Sequence, residues 1–221
     1  MAEHPLPTAG TTTAELAFAL CHEIANLVGA IRMHAHLVDA RMTPRELARA
    51  SVEIDDLCAR SSALLAHFRP LLDEAGAITR AAAPLDLVNG LRDVMSHHGG
   101  RGTQLDFEAA DGLAPIAIDQ EVLHYVLQSL LFAGLEATGG RGTVGLSVQE
   151  GHGAAIFAVD DDGPVDEDPS AWRRQAARGR PLVCAVADAI VGRRGGSVEV
   201  TRDGGRTRVS IRIPTQGGAT S

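Results

Sequence analysis

Lysine is absent from this sequence, and all 20 of its basic residues are arginine. The 28 acidic residues outnumber them, so the net charge at neutral pH is −8, and the arginines form no dense cluster. Aromatic residues make up only 3% of the chain, which leaves few rings to stack on nucleic-acid bases. These shortages argue against nucleic-acid binding as the main task of the protein.

Cysteines and long apolar runs are also scarce. Cys21, Cys58 and Cys184 are widely spaced and odd in number, which favours neither a disulfide framework nor a metal-binding cysteine pair. No uninterrupted apolar run approaches the roughly 20 residues that span a bilayer. The first residues, MAEHPLPTAGTTT, lack the basic start and apolar core of a signal peptide. We therefore expect a cytoplasmic protein without a membrane segment.

A long helical hairpin is predicted for residues 12–75, after a disordered tail at residues 1–11. Thr12 stands three residues before Glu15, the spacing of a capping box that begins a helix. The turn between the two helices carries a second capping box, with proline at the first helical position: Thr43, Pro44 and Glu46.

Heptad series of apolar residues predict how this hairpin packs. In the first helix the series are Leu20, Leu27 and His34, and Ile24, Ile31 and Val38. A lone hairpin cannot bury such a seam on both sides, so we expect a homodimer through residues 12–75 that forms a four-helix bundle. The alternative left open is that the hairpin packs on its own C-terminal domain.

The rest of the chain, residues 84–214, has the mixed pattern of an α+β sandwich, followed by a tail at 215–221. Helices are predicted at 86–96, 120–137 and 181–191, and strands at 103–108, 142–149, 154–160, 197–202 and 206–213. The fold expected is a set of helices on one face of a mainly antiparallel sheet.

The segment CHEIANLVGAI contains the most informative histidine. With Ile24 and Leu27 on the seam, His22 falls at the outermost heptad position and should face solvent. Glu23 follows it, and Asn26 lies one helical turn further on. An acidic neighbour can hydrogen-bond one ring nitrogen and leave the other free for nucleophilic attack. His36 shares the outer position but has no acidic neighbour.

This segment resembles the phosphoacceptor box of bacterial histidine kinases, HExxN-P-L-x-x-I, with Leu27 in place of the usual proline. The resemblance extends over nearly all of residues 12–214. It implies that His22 carries a phosphoryl group, that Glu23 assists its transfer, and that Asn26 serves dephosphorylation.

The C-terminal domain resembles the ATP-binding domain of these kinases but departs from it at key positions. Ala133 stands where the family has its magnesium-binding asparagine, Ser129 replaces an earlier asparagine, Val165 replaces a glycine, and Pro181 removes a backbone donor. Residual nucleotide-site positions are Asp161, Gly163 and Gly179. We therefore expect no cofactor and no metal site, and interpret Asp160, Asp161 and Asp162 as a solvated loop.

These features favour a histidine phosphotransferase, similar to dimeric phosphotransferases built from a degenerate kinase. His22 would exchange a phosphoryl group with the aspartates of response-regulator receiver domains, which would supply any Mg²⁺ required. Val28 is an expected contact of the receiver. The alternatives are an active ATP-dependent histidine kinase with a divergent nucleotide site, and a non-catalytic adaptor that binds receivers.

Overall fold

The computed structural model describes residues 4–5, 13–39, 41–72, 81–98, 102–110, 112–163 and 179–215. The architecture is α+β, as the sequence predicts: a helical hairpin is followed by a sheet that carries helices on one face.

The hairpin consists of helix α1, Thr13–Leu37, and helix α2, Pro44–Leu72. The predicted capping box of α2 is confirmed. The Glu46 carboxylate accepts hydrogen bonds from the Thr43 backbone N–H and hydroxyl, both at 2.8 Å, and the Glu46 N–H donates to Thr43 Oγ1 at 3.3 Å. These bonds lower the pKa of Glu46. Thr12, the residue expected to cap α1, lies outside the described residues.

The other elements follow in chain order, with strand β1 preceding the hairpin: β1 His4–Pro5, β2 Ala81–Ala82, α3 Pro84–Met95, β3 Gly102–Ala109, β4 Ile116–Asp119, α4 Gln120–Ala137, β5 Arg141–Gly151, β6 Ala154–Asp161, α5 Gly179–Gly192, β7 Ser197–Asp203 and β8 Arg206–Pro214. The bounds of α4 are those predicted from sequence. Its N-cap is Asp119, whose carboxylate accepts the Glu121 N–H at 3.0 Å.

The main sheet has the order β1-β7-β8-β6-β5-β3. Every adjacent pair is antiparallel except β3 and β5, which are parallel because α4 crosses over between them. The second sheet contains only β2 and β4. Alternation of buried and exposed residues along β8 leaves one face of the main sheet for the helices α3, α4 and α5.

Three short strands and one terminal residue depart from the sequence expectations. The strands β1, β2 and β4 are two, two and four residues long, too short for a two-residue period to be visible. Strand β1 pairs with β7 inside the segment expected to be a disordered tail. Thr215, placed in the C-terminal tail, is buried, and its N–H donates to the Gly153 carbonyl at 3.0 Å.

The hairpin packs on the C-terminal domain of the same chain. Its seam residues join one continuous core with α4 and α5: Leu16, Leu20, Leu27, Leu64 and Phe68. The intrachain packing that the sequence left open is therefore what one chain forms. A homodimer stays a prediction.

Helix α1 requires a correction to the expectation about membrane segments. In the described part of the chain it is the one helix whose length and composition suffice to cross a bilayer, over Glu15–Leu37. Uninterrupted apolar runs miss it because His22, Glu23 and Arg32 divide it. A core helix of a soluble protein meets the same criterion, and Leu16, Leu20 and Leu27 of α1 are buried in the core.

The Thr43→Ala substitution should destabilise the protein by about 1 kcal/mol, because it removes the hydroxyl that caps the first turn of α2. Urea unfolding monitored by circular dichroism measures this change. Ser62→Ala, at an exposed interior position of α2, is the control and should change the free energy of unfolding little. Equal effects of the two substitutions would contradict a capping role for Thr43.

Candidate functional site

His22 and Asn26 lie on the outward face of α1. Both side chains are exposed, and their spacing of four residues places them one turn apart on the same face. Within the described residues the His22 ring has no hydrogen-bond partner. An imidazole in this setting has both nitrogens accessible from solvent, and its neutral form offers one lone pair for attack on phosphorus.

Glu23 takes a different direction from His22. It is half-buried and lines a cleft between the hairpin and the C-terminal domain, together with Arg60 and Glu136. Consecutive helical residues project about 100° apart, so Glu23 cannot share the outward face of its neighbour. The hydrogen bond expected between Glu23 and the His22 ring is not formed in this structure.

The other two histidines of α1 lie where the heptad pattern places them. His34 is half-buried on the seam, and its Nδ1 lies 3.1 Å from Oε2 of Glu53 on α2. His36 is exposed near the end of α1. His34 therefore has a structural role between the two helices, while His36 is a matched exposed histidine for comparison with His22.

The cleft beside Glu23 occupies the region where the resemblance would place a nucleotide. Its volume is about 40 Å³, and it is lined by Leu27, Leu64, Ser129, Phe132, Ala133, Gly179 and Val183, besides the three charged residues named above. Ligand sites for molecules of drug size are roughly 300–1,000 Å³. The cleft is narrow because α2 packs directly on α4, where the Ser129 hydroxyl donates to the Ala63 carbonyl at 3.3 Å.

Two polar contacts join α2 to the C-terminal domain beside this cleft. Arg60 forms an ion pair with Glu136 of α4. Asp56 Oδ1 lies 2.7 Å from Nδ1 of His98, whose ring packs edge-on against Phe132 at 5.1 Å. The paired residues are 76 and 42 positions apart in sequence, so no local pattern reveals them.

Asp161, the residue expected to hold an adenine amino group, is already paired. Its carboxylate is buried, lies 2.8 Å from a terminal guanidinium nitrogen of Arg180, and accepts the Gly163 N–H at 3.1 Å. Burial raises the pKa of Asp161, while the Arg180 guanidinium opposes that rise. Sequence reasoning noted Arg180 only as a departure from the family pattern. The signal was the opposite charge that it adds next to a conserved-type carboxylate position.

The glycines of the residual nucleotide site have structural reasons of their own. A Cβ on Gly163 would lie 2.5 Å from the carbonyl carbon of Ala137, so only glycine lets this turn pack on the end of α4. Gly179 begins α5 with a φ of +58°, a conformation that favours glycine. Pro181 lies in the first turn of α5, where a missing N–H breaks no helical hydrogen bond. Val165 lies outside the described residues.

The three consecutive aspartates do not converge on one point, and they do not form a solvated loop. Arg208 binds both carboxylate oxygens of Asp160, at 2.7 and 3.1 Å. Asp162 accepts the Thr143 N–H at 2.8 Å. With Asp161 held by Arg180, each carboxylate has its own partner at the end of β6. Among the described residues, no group of three or more His, Cys, Asp or Glu side chains is arranged to hold a metal ion.

Neither a protein-family model nor a curated protein matches this sequence. Solved structures do match. The Acinetobacter baumannii histidine kinase AdeS aligns with a TM-score of 0.60 and 14% identity, over 88% of this chain and 98% of that chain. Full-length ShkA in complex with AMPPNP aligns with a TM-score of 0.56 and 20% identity, over 92% of this chain and 46% of that chain.

A structure described as a bacterial phosphotransferase also aligns, with a TM-score of 0.53 and 17% identity, over 93% of this chain and 99% of that chain. The chain therefore spans about half of ShkA and nearly all of the other two proteins. At these identities the likeness establishes the fold alone. The chain has a histidine-kinase-like fold, and its sheet with α3, α4 and α5 resembles the catalytic domain of such kinases.

Arg180→Met should destabilise the protein by about 3 kcal/mol at pH 7, because it leaves the buried Asp161 carboxylate without its cation. The pKa of Asp161 then rises further, so the folded state keeps a proton that the unfolded state loses above about pH 4. The penalty should consequently grow as the pH rises from 4.5 to 7.5. Urea unfolding across this range measures it.

The double variant Arg180→Met/Asp161→Asn is the control for this prediction. It removes the uncompensated charge, so most of the lost stability should return and the pH dependence should vanish. A penalty for Arg180→Met that stays constant with pH would show that lost packing, and not the exposed charge, causes the destabilisation.

Proposed function

We propose that this protein is a histidine phosphotransferase in which His22 exchanges a phosphoryl group with receiver-domain aspartates in two-component signalling. The observation that carries the proposal is the contrast between two sites. His22 is fully open to a partner on α1, whereas the region of the nucleotide site is narrowed to about 40 Å³ and its key carboxylate is paired with Arg180.

The transfer needs no nucleotide. A ring nitrogen of neutral His22 attacks the phosphorus of an aspartyl phosphate, an N–P bond forms, and the P–O bond to the aspartate breaks. The aspartate leaves as a carboxylate, and the other ring nitrogen of His22 retains its proton. The phosphoryl group then passes to a second receiver aspartate by the reverse step. The receiver holds the Mg²⁺ that neutralises charge on the phosphoryl oxygens.

Asn26 and Glu23 take different parts in this proposal. Asn26 shares the face of His22 and can hydrogen-bond a water or a phosphoryl oxygen one turn away. Glu23 faces the cleft, so its assistance would require the ring of His22 to turn toward it.

The alternative of an ATP-dependent kinase retains Asp161, Gly163 and Gly179 but is supported less well. Ala133 offers no oxygen to a hard cation, and the carboxylate for the base is occupied by an arginine of the chain itself. The adaptor alternative lacks any use for the exposure of His22. A cytoplasmic location remains part of the proposal.

We further propose that the chain forms a homodimer through the outward face of α2, within residues 12–75. Leu47 and Leu65 are 47% and 52% exposed, and Ile54 lies on the same face at heptad spacing. Exposed leucines on one helix face favour burial against a second copy. This arrangement forms a four-helix bundle while each hairpin keeps its packing on its own α4 and α5.

His22→Ala should abolish phosphoryl transfer from labelled phospho-receiver domains in the absence of ATP. The reason is that no other side chain of the outward face of α1 pairs an exposed imidazole with a polar residue one turn on. His36→Ala, on the same helix, should transfer at the wild-type rate. The label on the wild-type protein should be acid-labile and base-stable, as expected of phosphohistidine.

Transfer that survives in His22→Ala, or an acid-stable label, would refute the phosphoacceptor role. Calorimetry with MgATP tests the nucleotide independence on the same protein. We expect no binding heat at concentrations up to the millimolar range, and micromolar affinity would instead favour the kinase alternative.

Leu65→Glu should convert the dimer to a monomer, because a charge buried at the centre of an apolar interface is strongly unfavourable. Sedimentation velocity measures the oligomeric state. Leu85→Glu is the matched control, since Leu85 is 50% exposed on α3, away from the hairpin, and should leave the dimer intact. A wild-type protein that sediments as a monomer at all concentrations would overturn the dimer proposal.

A further inference from the structure

Phe18 is the most exposed large apolar side chain on the described surface, at 79%. The chain has only five phenylalanines, and Phe68, Phe132 and Phe157 are buried. Phe18 lies four residues before His22, so the phenyl ring stands one helical turn from the imidazole on the same face. An aromatic ring that contributes nothing to the core, beside a reactive histidine, has the properties of an anchor for a bound protein.

Gly29 provides a second observation, seven residues after His22 on the same face. Glycine weakens the interior of a helix, and structural glycines are usually required by positive φ or by close packing. Neither reason applies to Gly29, because it is helical and a Cβ there would meet no atom within 4 Å. The missing side chain therefore leaves a flat place on the surface into which a partner can approach closely.

Charge is the third observation. The exposed residues of α1 between Leu16 and Leu37 include no carboxylate, although the chain carries a net charge of −8. Glu23, the one acid in this stretch, is turned into the cleft, while Arg32 is exposed. This part of an acidic protein is thus neutral to basic. It complements a partner with a concentration of negative charge.

From these observations we infer that one surface of α1 is the docking site for the acidic, phosphoaspartate-bearing face of a receiver domain. This acid-free face comprises Phe18, His22, Asn26, Gly29, Arg32 and Met33. The inference rests on the proposed phosphotransferase function and adds the residues that select the partner. Phe18 is its apolar anchor, Gly29 its point of close approach, and Arg32 its contribution to electrostatic attraction. Phe18 and Gly29 are positioning residues, since neither touches the transferred group.

A receiver fits this face better than a second copy of the chain does. The phosphoaspartate of a receiver and the carboxylates that hold its divalent cation supply the negative charge that the face lacks. A second copy would place Arg32 and His22 near their own symmetry mates or near an equally acid-free surface. Access to His22 also requires the partner to cover this face transiently, which a permanent dimer contact would prevent.

The experiment measures phosphoryl transfer from a panel of purified, phosphate-labelled receiver domains to the full chain, without ATP. For the receiver that transfers fastest to the wild type, Phe18→Ala and Gly29→Leu should each raise KM about tenfold or more. Arg32→Glu should slow transfer chiefly at low salt. Three matched controls, Leu85→Ala, Gly192→Leu and Arg45→Glu, make the same chemical changes at exposed positions elsewhere and should transfer as the wild type does.

Phosphoramidate provides a readout of His22 that needs no docking. Its phosphoryl group passes to the imidazole nitrogen as its P–N bond breaks and ammonia leaves. Phe18→Ala and Gly29→Leu should accept phosphate from this small donor as fast as the wild type, which shows that the fold and the histidine are intact. Sedimentation should show an unchanged oligomeric state for both variants.

Each outcome bears on a different claim. Wild-type transfer that is equally fast in Phe18→Ala and Gly29→Leu would overturn the docking inference and leave the phosphotransferase intact. Loss of the dimer in these variants, together with loss of transfer, would assign the face to a second copy. Loss of phosphoramidate labelling would assign the residues to the structure of α1. No transfer from any receiver to the wild type would overturn the proposed function itself.

Discussion

Burial of the α1–α2 seam against α4 and α5 is the contact on which the remaining features depend. Leu20 and Leu27 take their place in the core through it, and helical geometry then turns His22 to the opposite side. The same contact brings α2 onto Ser129 and Ala133, where little space remains. One packing event therefore exposes the reactive histidine and narrows the region of the former nucleotide site. Apolar burial drives it, and the pair Arg60–Glu136 orients it.

The histidine-kinase-like fold keeps its form here through interactions within the chain. In place of a bound nucleotide, the guanidinium of Arg180 compensates the buried charge of Asp161. Gly163 is retained because its backbone packs on Ala137, and Gly179 because α5 begins with a positive φ. A motif residue can thus persist for reasons of folding after its ligand contact is gone. Residues of this kind are weak indicators of activity, whereas an exposed side chain such as Phe18, without a structural task, is more informative.

Local signals explain which elements were predictable. The bounds of α4 follow from a long apolar helical pattern after Asp119, and the start of α2 follows from the reciprocal bonds of Thr43 and Glu46. These features involve neighbours within a few residues. Strand β4 was not predictable, since four residues show no period and its partner, β2, lies far back in the chain. The direction of Glu23 also escaped prediction, because the charged groups that share its cleft belong to other helices.

By itself, the sequence determined the outward position of His22 and the class of fold, because heptad and strand periods specify which face of each element is apolar. It also located the positions at which the nucleotide site departs from its family. Only the tertiary structure decided what replaced that site. The pairing of Arg180 with Asp161, the closure of the cleft by α2 and the separate partners of Asp160 and Asp162 join residues that are distant in sequence. Such contacts depend on how whole elements pack, and no local pattern encodes them.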